Sequence, residues 1–206
     1  MDNNISSVNF RANLVTKMKG RHDLLTKVGE EFSRQTRHLP GEMRLERADK
    51  FIVGNKKVLD FNVGGLSLLV TQSKNKPLLG NNLENKEDIT PELVKDVTKV
   101  FVNIFKALSS EVKFTESTDS LVKNIRSTKK ALKNNQILAD YTAGKGNKEA
   151  SAMYIKLAEH NSKRLAQLNA QYSKEKAIFL EKANEIGKDE PYLDTWHQMM
   201  NEDYSN

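Results

Sequence analysis

The sequence predicts a mainly α protein: an N-terminal helix, a small three-stranded antiparallel β insertion, then a bundle of long antiparallel helices. Three observations carry this reading. Apolar residues recur at 3–4 spacing across residues 8–38 and again from residue 90 onward. A short run rich in β-branched and aromatic residues interrupts them at 50–72. Neither Gly nor Pro stands anywhere between 148 and 186.

Residues 8–38 read as one helix. Leu14, Met18, Leu25, Val28 and Phe32, with Arg21 among them, form its buried stripe. Ser6 or Ser7 supplies a cap, and Pro40-Gly41 stops it. The β insertion follows. Phe51-Ile52-Val53, Val58-Leu59-Asp60-Phe61 and Leu66-Ser67-Leu68-Leu69-Val70-Thr71 read as strands, broken at Gly54-Asn55 and at Asn62-Val63-Gly64-Gly65. Three strands are about the minimum for a stable small sheet. Residues 73–90, rich in Asn, Lys and Gly with Pro77, read as a loop. This divides the chain into 1–72, the loop, and a helical part, 91–206, the whole forming one domain or two.

Thr90-Pro91-Glu92 is a helix start: a cap, a Pro at the first helical position, an acid in the first turn. Leu93, Val97, Val100, Phe101, Ile104, Phe105 and Leu108 follow as the strongest stripe in the chain. Thr115-Glu116-Ser117-Thr118-Asp119 reads as a reset before a second helix running to about 142. Ala143-Gly144-Lys145-Gly146-Asn147 reads as a break, and 148–186 as a single helix with one clean apolar seam and one broken one. Asp189-Glu190-Pro191 opens a short last helix bearing Tyr192, Leu193, Trp196, Met199 and Met200.

Composition excludes several functions. The 206 residues include no Cys, which removes disulfide scaffolds, thiolate metal sites, iron–sulfur clusters and thiol catalysis. No apolar run reaches the length of a membrane span, and the N-terminus lacks a signal-peptide pattern. The expected location is therefore cytoplasmic, or outside the cell by a signal-peptide-independent export system. The 25 Lys and 20 Asn are coded by A-rich triplets, as in AT-rich genomes of intracellular bacteria and phages. Net charge is +6, distributed unevenly: +5 over 1–57, 0 over 58–115, +6 over 116–188 and −5 over 189–206. A basic body ends in an acidic tail.

No nucleotide-binding glycine motif, nucleophile elbow or helical His pair is present. The four histidines, His22, His38, His160 and His197, never stand three or four apart. Neither metal nor cofactor is implied. Three surfaces remain as candidates. Arg34, Arg37, Arg44 and Arg47 form an arginine cluster, with 42–50 taken as helical; Glu30, Glu31, Glu42, Glu46 and Asp49 are interleaved and offer ion pairs instead. Arg126, Lys129, Lys130 and Lys133 lie along one helix side without interleaved aromatics. The last helix pairs acids with Tyr192, Leu193, Trp196 and Met200, either docked on the basic body or displayed to a partner. A fourth, weaker candidate is the phosphate-cradle composition of Gly144, Lys145, Gly146 and Lys148 at a helix start.

Two short stretches resemble known families. Phe61-Asn62-Val63-Gly64 resembles a fragment upstream of the catalytic loop in phosphoinositide phosphatases. That loop has a Cys, five residues and an Arg, where this chain offers only Thr142 and Lys148. The acidic C-terminus resembles, in composition, the transport signals of some bacterial type IV effectors. The expected function is a non-enzymatic binding or adaptor protein, such as a bacterial effector or phage accessory protein, that engages a macromolecule, most readily a protein. A nucleic-acid or anionic-surface binder is the alternative, and a phosphate-handling enzyme or decayed phosphatase the third.

Overall fold

In a computed structural model of the chain, residues 12–17, 21–48, 58–71, 78–79 and 89–205 are described. The protein is mainly α, with two long helices and a small sheet. It comprises two units: Met1–Val112 with Lys182–Asn206, and Lys113–Glu181.

The first unit is built on a four-stranded sheet in the order β1 (Asn13–Thr16), β2 (Glu42–Arg47), β3 (Val58–Val63), β4 (Leu66–Thr71). β1 runs parallel to β2, and the other neighbours are antiparallel. A parallel pair needs a crossover, and α1 (His22–Gln35) supplies it. Strand alternation puts Met43 and Leu45 inward, with Arg44 outward between them. Leu45, Phe61 and Leu68 stand side by side across three strands, all buried. On the same core, Leu24, Leu25, Val28 and Phe32 of α1 are buried, as are Val97, Phe101, Ile104, Phe105 and Leu108 of α2 (Pro91–Gly144). Two edge-to-face ring pairs join the layers: Phe32–Phe105 at 5.4 Å and Phe61–Phe101 at 5.1 Å between centroids.

The chain returns to this unit at its C-terminal end. Gly187, at φ +59°, ends α3 (Lys148–Glu185) and turns the chain into a single 3-10 turn, Pro191–Leu193, and α4 (Asp194–Ser205). Leu193, Trp196 and Met200 are buried. The Trp196 indole N–H donates to Glu111 Oε2 at 2.9 Å. His197 Nε2 lies 2.9 Å from the Ile186 carbonyl, closing the turn from the other side.

Four expectations are corrected. The N-terminal helix starts at His22, and residues 13–16 are a strand instead, paired with β2 through Asn13 N–H to Gly41 O and Lys17 N–H to Leu45 O. Leu14-Val15-Thr16 suits an extended chain, and ladder bonding outweighs its helix-compatible spacing. Ser6, Ser7 and Met18 lie outside the described residues. Residues 42–47 form a strand, so Arg44 and Arg47, three apart, project to opposite faces. The sheet has four strands, of which only β3 and β4 were expected; Asn62 and Val63 extend β3, Gly64-Gly65 alone makes the turn, and the 51–53 strand lies outside the described residues. Finally, 115–119 does not interrupt α2, which runs 54 residues. Its hydroxyls are accommodated within the helix: Ser117 and Thr118 both donate to the Phe114 carbonyl. The bundle therefore has two long helices where three were expected. Of the 73–90 loop, Leu78-Leu79 is described as a turn with both side chains buried, and Ile89 and Thr90 lead into α2; the remainder lies outside the described residues.

Candidate functional site

The second unit is an antiparallel helical hairpin, residues 113–144 of α2 against 148–181 of α3. Its two helices meet through a 3–4 seam that starts firmly and then weakens. Phe114 stacks on Phe179 at 4.4 Å and tilts against Tyr172 at 6.1 Å. Further along, the seam positions of α2 include Thr118, Thr128, Asn135 and Ala139, and those of α3 include Ser151, Ala158 and Asn161. Such small and polar residues bury little apolar area.

The turn between the helices is a Schellman motif. Asn147 N–H bonds to Thr142 O, and Gly146 N–H to Ala143 O, with Gly146 at φ +75°. Asn147 then caps α3, its Oδ1 accepting from Ala150 N–H at 3.1 Å. Lys148 N–H bonds to Gly146 O and Ser151 N–H to Asn147 O. The donors that a phosphate would need are largely occupied by the turn itself. Gly144, Lys145, Gly146 and Lys148 are all exposed, and Lys145 Nζ sits 5.8 Å over the Tyr141 ring. Thr142 donates its hydroxyl to the carbonyls of its own helix, at Leu138 and Ala139. This geometry is that of an inter-helix turn.

The N-terminal arginines are not brought together. Arg34 is exposed in the last turn of α1 and pairs with Glu31 at 2.6 Å. Hydrogen bonds from Arg34, and then from Gln35, hold the Glu31 carboxyl below its ordinary value. Arg37 lies beyond the end of α1, so it does not share a helix face with Arg34. Arg44 pairs with Glu42 at 2.7 Å across its own strand. Arg47 is exposed at the end of β2. Lys17 pairs with Glu46 at 2.7 Å. Pairs this exposed contribute little stability. An open groove of about 500 Å³ runs beside Lys27, Glu31, Arg34, Pro91 and Lys95.

On the hairpin the cations are arranged differently. Arg126, Lys129, Lys130 and Lys133 are exposed, and none makes an ion pair among the described residues. Only Lys123, one turn earlier, is paired, with Asp119 at 2.6 Å. Arg126, Lys130 and Lys133 continue at 4–3–4–4 spacing into Ile137, 55% exposed, and Tyr141, 61% exposed. Six of the ten exposed large hydrophobic residues among those described fall within 137–157. An open trough of about 560 Å³ lies on one side of the hairpin, lined by Leu132, Gln136, Asp140, Ile155 and Glu159 among others.

The tail residues are docked. Leu193, Trp196 and Met200 are buried, and Tyr192 is half-buried with its phenol pKa raised, first by burial and then by the nearby Glu190 charge. Sequence reasoning missed Glu111 as the indole's acceptor, since nothing in local spacing links positions so far apart. Among the described residues, no three His, Asp or Glu side chains converge as a metal site, and no helix is long and apolar enough to cross a membrane. No family model, curated protein or solved structure matches the chain.

Proposed function

We propose that this chain is a non-enzymatic binding protein, an adaptor that engages an acidic protein partner through the basic side of α2 in the hairpin. One observation carries the reading: Arg126, Lys129, Lys130 and Lys133 stand without ion-pair partners among the described residues and run directly into exposed Ile137 and Tyr141. Unpaired cations beside exposed apolar groups suit an acidic amphipathic segment, which pairs charge and buries area together. Nucleic acid is the second reading, favoured by the same cations. Tyr141 is the single aromatic on that stripe, so stacking contributes little and phosphate contacts dominate. A role among bacterial effectors or phage accessory proteins suits the Lys- and Asn-rich composition.

The test is capture from lysate by the intact chain and by an R126Q/K129Q/K130Q/K133Q variant, with and without nuclease. The adaptor reading expects a protein partner that survives nuclease and is lost with the variant. Capture unchanged in the variant would overturn the basic side as the site. Capture abolished by nuclease, and falling steeply with salt, would transfer the function to nucleic-acid binding.

A further inference from the structure

The basic side of the hairpin has a counterpart that carries almost no charge. Successive helical residues turn by about 100°, so Ser117, Ser120, Asn124, Ser127, Ala131 and Leu138 fall on one flank of α2, away from the cations. All are uncharged and all but Leu138 are small. The hydroxyls of Ser117 and Ser127 donate to carbonyls of their own helix, at Phe114 and Asn124, so a neighbour can cover them without stranding a donor. On α3 the same flank carries Met153 and Leu157, 50% and 43% exposed, and half-buried Leu168. Its charges there, Arg164 and Glu175, cancel.

We propose that the hairpin, residues 113–181, associates through this flank with the hairpin of a second copy of the chain, completing a four-helix bundle. Three features select a second copy as occupant. The flank is self-complementary: a two-fold axis along the helices lays Leu157 and Leu168 of one α3 over the small residues of the other α2, and brings Met153 level with its Leu138. The hairpin carries 13 basic and 7 acidic residues, yet beyond Lys113 at its base the cations of α2 lie off this flank, so like charges are largely kept apart and an acidic partner finds little to pair with. The area is also sufficient. About 32 residues per helix give a length of about 48 Å, and two helices side by side give a width of about 18 Å. The product, roughly 850 Å² per copy, is that of a standard stable interface. A membrane is disfavoured as occupant, because the exposed turn bearing Lys145 and Lys148 would have to enter before the apolar residues behind it. The association is separate from the binding proposed above, which uses the other side of α2.

Sedimentation velocity of the full chain over a wide concentration range tests it. The expected mass is twice 23.4 kDa, with an affinity that holds or tightens as salt rises. Leu157→Glu, on the flank, is expected to raise the dimer dissociation constant at least about tenfold. Ile155→Glu is the matched control: 48% exposed, two residues away on the same helix, and on the opposite flank beside the trough. It should leave the dimer intact. Circular dichroism establishes that both variants fold, and Ser127→Lys on α2 stands in if Leu157→Glu does not. A chain monomeric at every concentration, a dimer that weakens with salt, or equal behaviour of the two Glu variants would overturn the proposal. Loss of the dimer with partner capture intact, or the reverse, separates the two readings.

Discussion

Trp196→Ala is the sharpest test of how the first unit is held together. Trp196 is the chain's sole tryptophan and is 1% exposed. A buried indole removes up to about 250 Å² from water, worth about 6 kcal/mol against full exposure at about 25 cal/mol per Å². Truncation retains part of this and adds a cavity, and such substitutions cost about 3–5 kcal/mol. Glu111 Oε2 also loses its indole donor at 2.9 Å. Trp196→Phe keeps most of the ring but not that N–H, and is expected to cost about 1–2 kcal/mol. Urea unfolding followed by far-UV circular dichroism measures both, and the Ala variant should melt roughly 6–20 °C lower. In the wild type the emission should be blue-shifted and protected from iodide. A loss below about 1 kcal/mol for Trp196→Ala, well under the range for a buried aromatic, or a red-shifted, freely quenched tryptophan in the folded chain, would refute the docking of α4.

Two further outcomes follow from the same segment. In Gly187→Ala the new Cβ would stand 2.6 Å from Leu193 Cδ1 and 3.3 Å from Asn103 Cβ, at φ +59°; Gly65, at φ +89°, shares the backbone strain but its Cβ would meet open space, so urea unfolding should show Gly187→Ala as the more destabilised of the two, by the clash alone. The Tyr192 pKa is raised on folding, so its contribution is complete below the unfolded value and lost as pH rises through the folded one; Tyr192→Phe should flatten the alkaline fall of melting temperature, and parallel curves would contradict the assignment.

The long elements were legible because their signals are local. Thr90 caps α2 through its hydroxyl, accepting from Leu93 N–H at 3.2 Å, and Pro91 fills the first helical position. The absence of Gly and Pro marks α3 to within a residue of its end, at Glu185. Leu66–Thr71 and the Gly64-Gly65 turn declare a hairpin. What escaped depends on distant partners. Leu14 satisfies a helical stripe and a strand equally, and only its pairing with Met43 decides. Polar composition at 115–119 suggests a break, but Ser and Thr can return their hydroxyls to the preceding turn, and an uninterrupted helix results. Of the candidate sites, the basic side of α2 was legible from spacing alone. The arginine cluster was not, because its members fall on a helix, beyond its end and on two faces of a strand. The uncharged flank has a sequence signal, the periodic absence of charge from Ser117 to Leu138.

The first unit is split in the chain, its final piece beginning at Lys182 after 69 residues of hairpin. On the ribosome this order matters. The sheet, α1 and the start of α2 emerge first, but Leu193, Trp196 and Met200 belong to the same core and are made much later. Vectorial synthesis at about 5–20 residues per second leaves that core open for several seconds while α3 and α4 are assembled. The hairpin, in contrast, is one uninterrupted stretch of chain whose contacts build outward from its own turn to Phe114 on Phe179, and it can form once residue 181 is exposed. The hairpin, completed before the first unit, therefore has the means to fold first, and its formation brings residue 182 back towards 112, shortening the loop that the core must close.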